Sequence, residues 1–192
     1  MNHTSEKAKN KMNNDDQGTT YSFDVCSQCG VICCQDAKPP LSEKRKQILK
    51  DYLEKQKITI KEPFTWAGYS HPTVDEQLFC CFFSKKTGKC LVHEVKPETC
   101  KAGPITFDIN LVTKKIEWFL KKGEICAYAA KLYVEKEAFK RHFDEAKEQL
   151  FQLICALDPE VLKVIVKIAE PQTFKIGEDD LPLETVRKLK LK

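Results

Sequence analysis

Cysteine spacing constrains this chain more than any other feature. Four thiols fall within nine residues, in the run Cys26-Ser27-Gln28-Cys29-Gly30-Val31-Ile32-Cys33-Cys34, and a second set follows at Cys80, Cys81, Cys90 and Cys100. Cys126 and Cys155 complete the ten. A Cys-x2-Cys turn lets two thiolates converge on one ion, the ligand knuckle of zinc and iron–sulfur sites. Gly30, directly after Cys29, can take the positive φ that such a turn often needs. Cys33 and Cys34 add two donors whose side chains diverge. Four thiolates fill one tetrahedral Zn2+ or one cubane cluster. Eight fill two sites, or one cluster with thiols left over.

The cellular setting decides between metal and disulfide. At 192 residues the chain suits one domain with tails. No stretch approaches the ~18 consecutive apolar residues of a membrane span, and the N-terminus lacks the apolar core of a signal peptide. The expected location is therefore cytoplasmic, with no membrane partner. Thiols there stay reduced, so ten cysteines point to metal or redox use. The neighbours Cys33-Cys34 and Cys80-Cys81 also bridge each other poorly. For Cys155 the plainer reading, a small buried hydrophobe, is preferred. For Cys80 the balance stays open.

Charge says little about partners beyond the metal. Charged residues make up 31% of the chain and the net charge is +4. The basic residues are nearly all lysine, with arginine only at Arg45, Arg141 and Arg187. Nucleic-acid grooves favour the planar, bidentate guanidinium, so this balance argues against one and for a mixed, solvated surface.

The pattern of apolar residues predicts an α+β fold: a small cysteine-rich half with short β-hairpins, packed on a helical C-terminal half. Hydrophobic content of 42% with eleven Phe suffices for a core. Residues 1–22 read as a disordered polar tail, 23–172 as a cysteine-cluster metal-binding domain, and 173–192 as a C-terminal tail or short helix. Ser42 is a plausible N-cap for a helix to about Gln56, with Leu41, Ile48, Leu49, Tyr52 and Leu53 on its apolar face. Ile58-Thr59-Ile60 reads as a short strand. The aromatic run Phe64 to Tyr69 reads as a packing loop, with a substrate-facing role as the sharper alternative. A turn at Ser84–Lys89, with Gly88 well placed, predicts a hairpin that brings Cys81 near Cys90. Lys96-Pro97 begins a turn or short helix carrying Cys100. Phe107–Asn110 and Lys115–Leu120 resemble the arms of a second hairpin. Phe139, Phe143, Ala146, Leu150, Leu153 and Leu157 form a helical stripe. Asp158-Pro159 predicts the start of another helix, with Val161, Val164, Ile165 and Ile168 buried and Pro171 closing it.

The segment Cys81-Phe82-Phe83-Ser84-Lys85-Lys86-Thr87-Gly88-Lys89-Cys90-Leu91-Val92-His93-Glu94-Val95-Lys96-Pro97-Glu98-Thr99-Cys100 resembles the second block of the YkgJ-type cysteine-cluster proteins, which are described as zinc- or iron-chelating. The family's CxxCxxCC signature looks like Cys26, Cys29, Cys33 and Cys34, and the likeness spans about residues 24–126. This chain has three residues between Cys29 and Cys33 where two are usual, His93 in place of a tyrosine, and Lys96 in place of an arginine. Lys96 keeps the charge but loses the bidentate fork. The resemblance implies the metal ligands Cys26, Cys29, Cys33, Cys34, Cys81, Cys90 and Cys100, with Cys126 as the more distant eighth. His93 could add an imidazole, though packing suits it better. A related arrangement occurs in flagellin lysine methylases, with an iron–sulfur cluster, which is similarity to part of the chain only.

The expected function is therefore metal binding, through an iron–sulfur cluster or zinc held by cysteine thiolates. Two alternatives come from other classes. One is an iron–sulfur enzyme, redox or methylase-like, for which no nucleotide loop and no acid–base pair is visible, His71, His93 and His142 being scattered. The other is a zinc-dependent adaptor, for which the second block, Cys-x8-Cys-x9-Cys, lacks the second Cys-x2-Cys knuckle of a zinc ribbon. The surplus of soft sulfur donors tips the choice of cofactor toward iron–sulfur. No residue is assigned a catalytic role.

Overall fold

Ser42 opens the first helix, as its sequence context requires. Its Oγ accepts a hydrogen bond from the Arg45 amide at 3.2 Å, and α1 runs over Glu43–Lys55 with Glu43 in its first turn. The computed structural model describes residues 33–166, 168 and 172–191. The expected tail at 1–22, the knuckle at Cys26 and Cys29, and Pro171 lie outside the described residues.

The inward stripe of α1 holds Leu49 and Leu53, which pack with Leu41, Phe82 and Val92 into a small core. Two short hairpins border it. In the first, β1 (Phe64–Trp66) pairs antiparallel with β2 (Ser70–Pro72). In the second, β3 (Phe83–Ser84) pairs with β4 (Lys89–Cys90) around Gly88, whose φ of 66° suits a residue without Cβ. The aromatic run 64–69 is thus a hairpin rather than a loop. Tyr69 is buried and donates its hydroxyl to Lys38 O at 3.1 Å, while Trp66 is 67% exposed. Ile58–Ile60 forms no strand, and the Ile58 amide donates to Leu53 O of α1 at 2.9 Å, but both isoleucines pack against the small core.

A larger core fills the rest. The hairpin β5 (Ile105–Asn110) and β6 (Lys115–Lys121) forms as expected, with Ile105 opposite Leu120 and Asn110 opposite Lys115. A third strand, β7 (Thr173–Asp180), pairs with the other edge of β6. The segment 173–192, expected as a tail or short helix, therefore supplies both this strand and the short helix α6 (Leu183–Lys188). Ile116, Trp118 and Leu120 point inward at every second position of β6. Trp118 is fully buried and donates its indole N–H to Asp179 Oδ2 at 2.6 Å.

Helices close over this sheet. After the short α2 (Glu98–Ala102) and α3 (Ala127–Val134) comes α4 (Lys136–Ala156), whose 21 residues extend about 31 Å. Its inward face carries Ala146, Leu150, Leu153 and Ile154, with Phe139 and Phe143 packed alongside. The helix α5 (Pro159–Ile165) starts at Asp158-Pro159 as predicted. Val161 and Leu162 are its buried residues, whereas Val164 is exposed because only one side of this short helix meets the core, and Ile168 is exposed beyond the helix end. The fold is α+β, with a cysteine-rich half on a mainly helical C-terminal half that also contains the three-stranded sheet. No helix among the described residues is long and apolar enough to cross a membrane.

Candidate metal centre

Backbone pairing joins the two cysteine blocks. Residues 34–36 run antiparallel to 78–80, with Gln35 opposite Phe79. The Asp36 amide donates to Leu78 O at 2.7 Å, and the Cys80 amide donates to Cys34 O at 2.9 Å. One residue on, the Cys81 amide donates to Thr73 O at 2.8 Å. The β3–β4 register then places Phe83 opposite Cys90, so the turn carries Cys90 back beside the Cys80-Cys81 pair, as expected for Cys81.

Cys100 arrives on α2, which is pinned from two sides. Arg45 of α1 reaches Glu98 Oε1 with Nε and with Nη2, each at 2.8 Å, and Val95 O with Nη1 at 3.3 Å. On the other side, His142 of α4 donates from Nε2 to Ala102 O at 3.1 Å. Cys126 sits at the N-cap of α3, in extended conformation, just beyond the sheet.

The thiols perturb one another's ionisation, which at protein scale requires short separations. A hydrogen bond from Cys34, helped by the charges of Lys121 and Lys96, outweighs burial and holds Cys33 down at about 6. The same hydrogen bond, then burial and the sulfurs of Cys33, Cys90 and Cys100, pushes Cys34 up. The second pair repeats this: the hydrogen bond between them raises Cys80 and lowers Cys81. Burial raises Cys90, with Cys80 and Cys33 adding to the effect. Burial, then Cys80 and Cys90, pushes Cys100 up to about 12. Cys100 nonetheless keeps much of its residue surface exposed, so its burial is crowding around sulfur rather than enclosure. Cys126 is raised by burial, with Cys33 contributing.

Seven cysteines therefore share one neighbourhood: Cys33, Cys34, Cys80, Cys81, Cys90, Cys100 and Cys126. Cys155 stands apart, its sulfur 4.0 Å from Thr185 Oγ1 near α6. Among the described residues no three Cys, His, Asp or Glu side chains form a ready-made metal site. Cys26 and Cys29 belong to the undescribed segment. The donor chemistry fits a soft metal: the group is entirely sulfur, and Lys96 and Lys121 bring positive charge toward it. Four thiolates on a divalent ion leave two negative charges in excess, which such lysines offset.

The family model of the CxxCxxCC domain, described as zinc- or iron-chelating, matches residues 25–127, just over half the chain. The chain belongs to the CxxCxxCC family. No curated protein and no solved structure matches it. In CxxCxxCC terms, residues 33–127 in this structure hold both hairpins, α2 and the first two strands of the large sheet, so the family region reaches into both cores.

Sequence reasoning missed three features of this site. Cys80 stays open in the sequence, because alternation sets the face of a side chain but not the residue opposite it, here Cys34. Arg45, one of three arginines, gave no signal of its fifty-three-residue reach to Glu98. Lys121 was invisible as a partner of Cys33, because only the fold brings it there. His93 begins the 3-10 turn His93–Val95 after β4, and burial lowers its pKa. His71 is buried against Tyr69, with Nδ1 2.8 Å from Pro72 O.

Proposed function

We propose that this CxxCxxCC protein holds iron–sulfur through thiolates drawn from Cys26, Cys29, Cys33, Cys34, Cys81, Cys90, Cys100 and Cys126, four to each cluster. One observation carries this reading: the described members of that set come from four separate segments of chain, yet their sulfurs lie close enough to shift one another's pKa. Every donor in the set is soft sulfur, which suits iron–sulfur, and eight donors are enough for more than one four-thiolate site. A bound cluster would supply one-electron chemistry. The chain's part is to hold thiolates, to surround them with hydrogen bonds and lysine charge, and to limit water through the small apolar core. Such reduced thiols suit a cytoplasmic setting.

Anaerobic purification tests the proposal, followed by a visible spectrum and assays of iron, zinc and acid-labile sulfide. A brown protein with iron and sulfide in matched amounts is the expected outcome. A colourless protein with one or two zinc ions per chain would replace the cluster by structural zinc sites. A folded protein without metal would refute both.

A further inference from the structure

Cys80 stands outside the ligand set that the family signature gives this chain, but its backbone is held from two sides. It lies in the middle of a small three-segment ladder. On one side its amide binds Cys34 O, and on the other it bridges Val74. The pairing of Gln35 with Phe79 sets Cys34 directly across from Cys80. Side chains facing each other across an antiparallel pair have Cβ atoms about 4.5–5.5 Å apart. Two thiolates on one tetrahedral ion with bonds of about 2.3 Å need sulfurs about 3.8 Å apart. A cross-strand pair can meet that separation by side-chain rotation alone.

Cys81 must give up a hydrogen bond before it can ligate. Its sulfur lies 3.3 Å from Pro63 O, onto which the protonated thiol donates. The Cys80 sulfur hydrogen-bonds instead with Cys81 and the Phe82 amide, and it packs with Cys81 and Cys90 beside the small core. The ladder that fixes Cys80 also fixes Cys34, so these two approach a bound metal as a unit.

We infer that Cys80 is a further thiolate ligand of the metal centre, gripping the same ion or cluster as Cys34 from the opposite strand. This rests on the metal-binding reading above and adds a residue to it. On coordination the Sγ–H bond breaks, the proton leaves to solvent, and an S–metal bond forms. The competing role is an outer one, in which Cys80 only donates a hydrogen bond to Cys81.

The test is alkylation footprinting of the full chain with N-ethylmaleimide, read by mass spectrometry. Metal-stripped, reduced protein is compared with protein reloaded with Zn2+ alone and, in a second arm, with Fe2+ and sulfide. Coordination removes the nucleophilic thiolate, so Cys80 should slow by about tenfold or more on loading, together with Cys34, while Cys155 should not change. Cys80→Ser and Cys80→Ala are then titrated with Zn2+ against a chelator. Both should weaken binding by more than the roughly 10–100-fold that loss of an outer-shell partner costs. If Cys80 reacts equally fast loaded and stripped while Cys90 and Cys100 become protected, it is not a ligand. If Cys80→Ser binds Zn2+ like the parent and only Cys80→Ala is weakened, the side chain is a hydrogen-bond donor and the inference fails. If loading protects no cysteine, the metal-binding reading fails with it.

Discussion

Arg45 and Glu98 form a buried ion pair between α1 and the helix that carries Cys100. Two guanidinium nitrogens converge on Glu98 Oε1, each at 2.8 Å, and both side chains are about nine-tenths buried. The second oxygen, Oε2, has no hydrogen-bond partner among the described residues. The pair therefore fixes position without satisfying every polar atom. Removing Arg45 strands a buried carboxylate, whereas removing both charges does not. Arg45→Ala is predicted to cost about 3–5 kcal/mol in urea unfolding. Arg45→Met with Glu98→Leu should recover most of that loss. A double variant as unstable as Arg45→Ala would show that the pair contributes more than the absence of a stranded charge.

Metal removal should loosen one half of the molecule and spare the other. Cys80, Cys81 and Cys90 border a small core around Leu49, Phe82 and Val92, while Cys126 packs on a separate, larger one with Trp118, Leu150 and Leu162. Structural thiolate sites contribute on the order of 10 kcal/mol to such small units. Chelation is therefore expected to speed amide exchange across residues 34–100 by orders of magnitude, with α4 and β6 staying protected. Uniform loss of protection would show that the two cores unfold together.

Gly123 is a packing constraint. A Cβ there would lie 2.8 Å from the Cβ of Ala130, closer than two such atoms approach. Gly123→Ala should destabilise the fold by about 1–3 kcal/mol through overpacking. The double variant with Ala130→Gly should lose less than the sum of the two single losses, because glycine at 130 removes the clash. Thermal melts of the four proteins measure this coupling.

His142 makes stability depend on pH in a defined direction. Burial lowers its pKa in the fold, against the opposing hydrogen bonds to Ala102 and Gly103 carbonyls. The unfolded state then binds the proton more tightly, so stability rises with pH between the folded value and about 6.5. The contribution is complete above that range and is lost as pH falls through the folded pKa. His142→Gln, which keeps a donor but does not titrate, should flatten the urea midpoint between about pH 5 and 7 relative to the parent. An unchanged slope would assign the dependence to other groups.

Local signals were readable without a structure wherever one segment decides its own conformation. Ser42 and Asp158-Pro159 marked helix starts because caps and proline act within one turn. Gly88 marked the β3–β4 turn, and alternation at Ile116, Trp118 and Leu120 marked β6. The strand β7 was missed because Lys175, Glu178, Asp179 and Asp180 make it read as solvent-facing coil. It is a strand because the free edge of β6 pairs with it, while Lys115 and Glu117 of β6 pair with Glu178 and Lys175 of β7.

The spacing of ten cysteines by itself determined the chemistry of this protein, since thiolate clusters at knuckle spacing have few uses other than soft metals. Caps, turn residues and apolar patterning determined most of the helices and hairpins. Only the tertiary structure decided which sulfurs meet: it set Cys80 across from Cys34, brought Lys96 and Lys121 to the thiols, anchored Cys100 through Arg45, and left Cys155 apart. The reason is physical. A motif fixes geometry over a few bonds, but the distance between residues fifty positions apart is set by backbone pairing and core packing, which no local pattern encodes.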